Sequence, residues 1–212
     1  MKALVIGASG ATGKDLVQVL LQDPDYTQVT IFVRRTTRQV HPKLLEIVTD
    51  FDQLENIASF IQGNLLFSCL GTTLKAAGSK EAQWRIDHDI PAAFAAIAKR
   101  NGVSGIVLLS AYGAKASSKL FYSKMKGALE EKIAELSFDQ YIIFRPGLLL
   151  RKNTDRVGER VSGGVLGFLN SLGLARKFRP MPTLLLAQKM AKAPKLLPPG
   201  IHDISLDKIF SL

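Results

Sequence analysis

Apolar residues recur along this chain in two rhythms. Short unbroken runs rich in valine, isoleucine and leucine alternate with longer segments whose apolar positions fall three and four apart. A brief apolar run bounded by turn residues predicts a buried strand, and the three-four spacing predicts an amphipathic helix. Residues 3–6 form the first strand on this basis. A helix follows with Leu16, Val19 and Leu20 on its inner stripe and Val17 and Leu21 beside them. Residues 29–33, 44–48 and 65–70 read as the next three strands. Between the last two, Asp52 starts a helix whose stripe is Leu54, Ile57, Phe60 and Ile61. Residues 80–100 are a long helical segment in which Pro91 starts a new turn or kinks the helix. A fifth strand over 103–109, a helix over about 121–136 and a sixth strand over 141–144 complete the regular part. Such alternation predicts an α/β fold, a doubly wound parallel sheet with helices on both faces.

Beyond residue 150 the pattern changes. Residues 158–174 are glycine-rich and apolar, 183–193 read as one more helix, and Pro198-Pro199-Gly200 precede a short terminal strand. The expectation is a single domain: a core over 1–150 and a C-terminal cap over 151–212 that covers the strand ends. At 212 residues and 47% apolar, the chain has material for one continuous core. No apolar run approaches the roughly twenty residues of a membrane span. The N-terminal run breaks at Gly7 after four residues, which argues against a secretory signal. The lone Cys69 excludes an internal disulfide and a cysteine-built metal site, and no metal is expected. It reads as a small core residue with no basic neighbour. Together these features predict a soluble, cytoplasmic protein.

The first candidate for chemistry is the turn after the first strand. Gly7, Gly10 and Gly13 stand three apart between strand and helix, which is the context in which such a motif means dinucleotide binding and a Rossmann fold. Gly7 allows the tight turn, Gly10 lets the backbone approach a pyrophosphate, and Gly13 lets the helix pack close. Ser9, Ala11 and Thr12 stay small, and the unpaired N–H groups of the first helical turn face the anion. The second strand ends in Arg34-Arg35 with no acid, a pattern suited to the 2′-phosphate of NADP and not to the ribose of NAD. Asp50 falls where the third strand delivers a side chain towards adenine.

The second candidate is Ser110 at the end of the fifth strand with Tyr122 and Lys126 on the following helix. Tyrosine and lysine four apart share a helix face. A nearby ammonium lowers the pKa of a phenol, otherwise near 10, towards useful proton exchange. Lys126 would also bond the nicotinamide ribose, and Ser110 the substrate carbonyl oxygen. His88 reads as a partner of Asp87 or Asp89.

The stretches GASGATG, VRR, TDF, CLGTT, LSAYGAK, YSKMK and FRPG resemble the atypical short-chain dehydrogenase/reductase superfamily, and within it the small Tat-interacting-protein-like oxidoreductases. That resemblance implies a Rossmann sheet of order 3-2-1-4-5-6, NADP(H) binding and a Ser110–Tyr122–Lys126 triad. It further implies that Asp50 and Phe51 flank the adenine, and that Cys69, Leu70, Gly71, Pro146 and Gly147 line the cofactor. Where enzymes of the superfamily often carry an asparagine before the fifth strand, this chain reads Ile86-Asp87-His88-Asp89.

Two further classes are weighed beside the oxidoreductase. One is a non-catalytic NADP-binding regulator with a protein partner. The other rests on charge: between Arg151 and Lys195 basic residues outnumber acidic ones ten to two, which accounts for +8 of the net +10. Nucleic acid is disfavoured there because only Phe168 and Phe178 interleave with the charges. The amphipathic, basic stretch 165–177 suits peripheral contact with an anionic membrane.

Overall fold

A computed structural model describes residues 1–150 and 179–212. The glycine-rich stretch 158–174 and the amphipathic stretch 165–177 lie outside the described residues. Seven parallel strands make the main sheet. They are β1 (Lys2–Ile6), β2 (Gln28–Val33), β3 (Leu44–Val48), β4 (Leu65–Ser68), β5 (Gly105–Leu109), β6 (Gln140–Arg145) and, numbered in chain order, β9 (Gly200–Ser205). Their spatial order is β3-β2-β1-β4-β5-β6-β9, the doubly wound arrangement anticipated above with one strand added. Two short strands, β7 (Leu149–Leu150) and β8 (Met181–Pro182), pair separately.

The inner strands β1, β4, β5 and β6 are almost wholly buried and apolar because helices cover both faces, whereas the edge strands β3 and β9 carry Glu46, His202 and Asp203. Ala3 and Val5 of β1 point to one side, where α1 (Ala11–Gln22) and α6 (Thr183–Leu196) lie; Leu4 and Ile6 point to the other. That second side is covered by a 3-10 turn (Leu54–Phe60), α4 (Ile90–Arg100) and α5 (Phe121–Ala134). Leu16, Val17, Leu20 and Leu21 of α1 are buried, each contributing about 1.5–3 kcal/mol by removal from water.

Two segments depart from the sequence reading. In the region expected to cap the strand ends, the described residues from Met181 onward pack into the body. The α6 stripe of Leu186, Ala187, Met190 and Ala191 packs in the α1 layer, and β9 extends the sheet beside β6. The helical segment over 80–100, expected to restart or kink at Pro91, is instead broken ahead of it into α3 (Lys80–Trp84), a π-helical turn (Arg85–Asp89) and α4. Pro91 explains the break. Its ring would meet the carbonyl four residues back, that of Asp87, and it has no N–H to donate. Widening the turn, with the Ile90 N–H bonded to the Arg85 carbonyl, relieves the clash. A short helix α2 (Leu74–Ala77), capped by Thr73 Oγ1 accepting from the Ala76 N–H at 3.2 Å, was not read from the sequence.

Candidate active site

Sheet order reverses at β1, between β2 and β4, so the loops after β1 and β4 diverge and leave a crevice at the carboxyl ends of the strands. The glycine turn forms one wall. Gly7 has φ +80°, and a Cβ there would lie 2.4 Å from the Cys69 carbonyl carbon. A Cβ on Gly13 would lie 2.1 Å from the Gly7 carbonyl oxygen, so α1 begins directly against the turn. Gly10 is the N-cap, and the first helical bond runs from the Lys14 N–H to the Gly10 carbonyl at 2.8 Å. The N–H groups of Ala11, Thr12 and Gly13 are thereby left without helical partners.

Two adjoining cavities occupy the crevice. The first, about 420 Å³, is lined by Gly7, Ser9, Gly10, Phe32, Val33, Arg34, Asp50 and Phe51, with Arg85 and Ile86 opposite. The second, about 220 Å³, is lined by Gly10, Ala11, Thr12, Leu109, Ser110, Tyr122, Lys126 and Leu149. Gly10, Cys69, Leu70, Gly71 and Thr72 border both, so the two are halves of one cleft. A third recess beside the first is lined by Ser9, Lys14, Arg34, Arg35, Thr36 and Thr37.

Most predicted site residues therefore meet at one place. Gly13 lies behind the cleft and shapes it from the turn. Pro146 and Gly147 line neither half; the Pro146 carbonyl accepts from the Tyr112 N–H at 3.0 Å, and Leu149 takes the wall instead. His88 pairs with Asp89 at 2.7 Å. Cys69 does have a basic neighbour, contrary to the sequence reading, because Lys126 on α5 folds back towards it. Burial nevertheless pushes the thiol up to about 12, the Lys126 charge offsetting only part.

Tyr122 is 44% exposed on the cleft wall, whereas Lys126 is only 2% exposed, its Nζ 6.0 Å from the Tyr122 ring centre. Lys126 Nζ lies 3.4 Å from the Leu70 carbonyl oxygen, to which it donates, and 3.6 Å from Asp87 Oδ2. Burial lowers the Lys126 pKa and raises that of Asp87, each opposing the other's shift by its charge. Ser110 Oγ donates to Glu130 Oε1. Glu130 in turn accepts from Arg145 Nε at 2.9 Å and Nη2 at 2.6 Å, and Arg145 also pairs with Asp203. A charged chain thus runs from the buried Ser110 and Glu130 outward through Arg145 to the exposed Asp203 of β9.

Sequence reasoning missed Lys14, Asp87 and Glu130 as site residues. Lys14 directly follows the glycine turn and Glu130 sits four residues after Lys126, so both positions were readable. Asp87 was not, because only the π turn rotates it inward.

The fold and this cleft define a protein of the dinucleotide-binding Rossmann type. The chain belongs to the NAD(P)H-binding family, whose sequence model matches residues 7–166. It is similar to Protein HTATIP2 of Rattus norvegicus, 36% identical over 170 residues, which are 78% of this chain and 70% of that protein. Protein FMP52, mitochondrial, of Saccharomyces cerevisiae is 35% identical over 180 residues, 82% of this chain and 74% of its own length. Among solved structures, the oxidoreductase ylbE from Lactococcus lactis superposes with a TM-score of 0.70 at 18% identity, covering 100% of this chain and 96% of that one. A short-chain dehydrogenase/reductase superfamily protein from Agrobacterium tumefaciens with bound NAD gives 0.73 at 13% identity, over 97% and 77%.

Proposed function

We propose that this protein is an NADP(H)-dependent oxidoreductase that interconverts a carbonyl compound and its alcohol through Ser110, Tyr122 and Lys126. The observation that carries the reading is that all three line one half of a cleft whose other half is the glycine turn. When bound, the reduced cofactor supplies hydride to the carbonyl carbon. The residues of the chain hold it and manage the proton. The free N–H groups of Ala11 and Thr12 receive the diphosphate. Tyr122 gives its phenolic proton to the substrate oxygen, and the Lys126 ammonium stabilises the phenolate left behind. Ser110, its own proton directed to Glu130, offers lone pairs to an alcohol hydroxyl; turned from Glu130, it donates to a carbonyl oxygen.

The preference for NADP is supported by the recess of Lys14, Arg34 and Arg35 beside the Ser9 hydroxyl; at its rim Thr37 donates to Glu46. Three cations match a phosphate dianion better than a ribose diol. Titration calorimetry with NADPH and NADH, followed by NADPH oxidation in the presence of a panel of aldehydes and ketones, tests both halves. Equal affinity for the two coenzymes refutes the phosphate site. Tight NADPH binding with no turnover on any carbonyl favours the regulator.

A further inference from the structure

Asp87 is fully buried yet has an oxygen with no hydrogen-bond partner. Its Oδ1 accepts the Thr72 N–H at 2.7 Å, and Oδ2 points to Lys126 Nζ at 3.6 Å. We propose that Asp87 is a positioning residue for proton transfer. Its carboxylate fixes the Lys126 ammonium against the cleft floor and keeps it charged, and through Lys126 it sets the pH at which Tyr122 exchanges its proton. The role of Tyr122 in this statement rests on the function proposed above; the control of Lys126 does not.

Among the described residues, Asp87 is the carboxylate paired with Lys126, and Glu130 adds a weaker charge. Cys69 keeps its proton and supplies none. Glu130, one turn along α5, is engaged by both Arg145 and Ser110. Tyr122 presents its ring at 6.0 Å. An ammonium this buried, held only by the Leu70 carbonyl, would give up its proton under the desolvation cost. The carboxylate cannot swing away, because the π turn and the Thr72 N–H hold it from two sides. The backbone of Gly71 lies beside the pair: a Cβ there would lie 3.7 Å from Asp87 Oδ2 and 3.9 Å from Lys126 Nζ.

The test follows Lys126 directly in the full-length protein. With 15N-lysine labelling, its Nζ resonance is assigned by its loss in Lys126→Arg and titrated from pH 6 to 11. Asp87→Asn retains an acceptor for Thr72 and should lower the Nζ midpoint by at least one pH unit, a tenfold weaker hold on the proton. The wild-type protein gives a second readout that needs no folded variant: the Asp87 carboxyl 13C signal should shift at the pH where Lys126 titrates. An unmoved midpoint in Asp87→Asn, or carboxyl and ammonium titrating without mutual shifts, overturns the proposal. Where turnover is measurable, the variant's pH–rate profile should move to higher pH, since a neutral Lys126 no longer lowers the phenol pKa. A profile that stays in place also overturns it. Absence of turnover in the wild type refutes the function proposed above and leaves the titration result standing.

Discussion

Substituting Gly13 and Gly10 separates the two tasks of the glycine turn. A Cβ at position 13 would lie 2.1 Å from the Gly7 carbonyl oxygen and 2.8 Å from its carbon, both backbone atoms. Relief requires α1 to move off the turn. Overpacking of this kind costs about 1–3 kcal/mol, and the better helix propensity of alanine returns up to about 1 kcal/mol. Taking the middle of the overpacking range, about 2 kcal/mol, the net loss is about 1–2 kcal/mol. At roughly 2–4 °C per kcal/mol for a chain of this size, Gly13→Ala should lower Tm by about 2–8 °C. Position 10 differs. Its φ of −74° and ψ of 167° suit any residue, and the nearest atom to an added Cβ is the Gly7 oxygen at 3.3 Å. A larger side chain there projects into the cleft that Gly10 lines. Gly10→Val should therefore keep Tm nearly unchanged while blocking the diphosphate. Two lost charge-assisted hydrogen bonds at about 1.5–3 kcal/mol each weaken cofactor binding by about a hundredfold or more. The assay is thermal unfolding with and without NADPH. Ligand at 100 times its Kd stabilises the wild type by about 2.7 kcal/mol, an upward shift of roughly 5–11 °C that should vanish in Gly10→Val. Full NADPH protection in Gly10→Val, or an unaltered Tm in Gly13→Ala, refutes the assignment of tasks.

Other outcomes follow from the same geometry. Tyr122→Phe should abolish carbonyl reduction and leave NADPH affinity intact by calorimetry; residual turnover near the wild-type rate removes Tyr122 as the acid. Arg34→Asp should reduce the preference for NADPH over NADH by roughly ten- to a hundredfold, one charge-assisted phosphate contact being worth about 1.5–3 kcal/mol. Arg145→Met strands the Glu130 carboxylate, whose side chain is 7% exposed, and should cost about 3 kcal/mol, read as a lower urea midpoint. Lys195→Met should lower Tm at pH 7 and matter less in acid. Partial burial pushes the Asp23 carboxyl up, but the Lys195 bond, the Asp25 N–H and the Lys195 and Lys43 charges outweigh it and hold it below its ordinary 3.8. A carboxyl held low when folded stabilises the protein above that value and loses the benefit as pH falls through the folded one. The two Tm curves should converge as pH falls from 3.8 through the lower folded value of Asp23, and a constant gap would contradict the pairing.

The basic segment is partly accounted for by the fold. Arg179 stacks on the Phe210 ring at 3.3 Å, Lys189 donates to the Phe210 carbonyl at 3.1 Å, and Lys195 bridges Asp23 and Asp25 at 2.7 and 2.8 Å. These cations tie α6 to the C-terminus and to the loop before β2. An anionic partner would have to meet the rest of the segment.

The sequence by itself determined the local elements and the glycine turn. A buried strand must be an unbroken apolar run, a covering helix must repeat at three and four, and a tight turn against a helix start needs residues without Cβ atoms. These are short-range demands, and residues 3–21 and 121–126 state them openly. The pairing of Tyr122 with Lys126 was likewise legible, since one helical turn brings them together. What lies far apart in sequence was decided only by the tertiary structure. Asp87 faces Lys126 because Pro91 forces a π turn that rotates it inward, and Glu130 reaches Ser110 because α5 packs across the end of β5. Residues 183–205 joined the sheet and the α1 layer instead of capping them, because an edge strand with one covered face carries too weak an alternation to announce its neighbour. Charge partners are chosen by burial and distance, and neither quantity exists until the layers have closed.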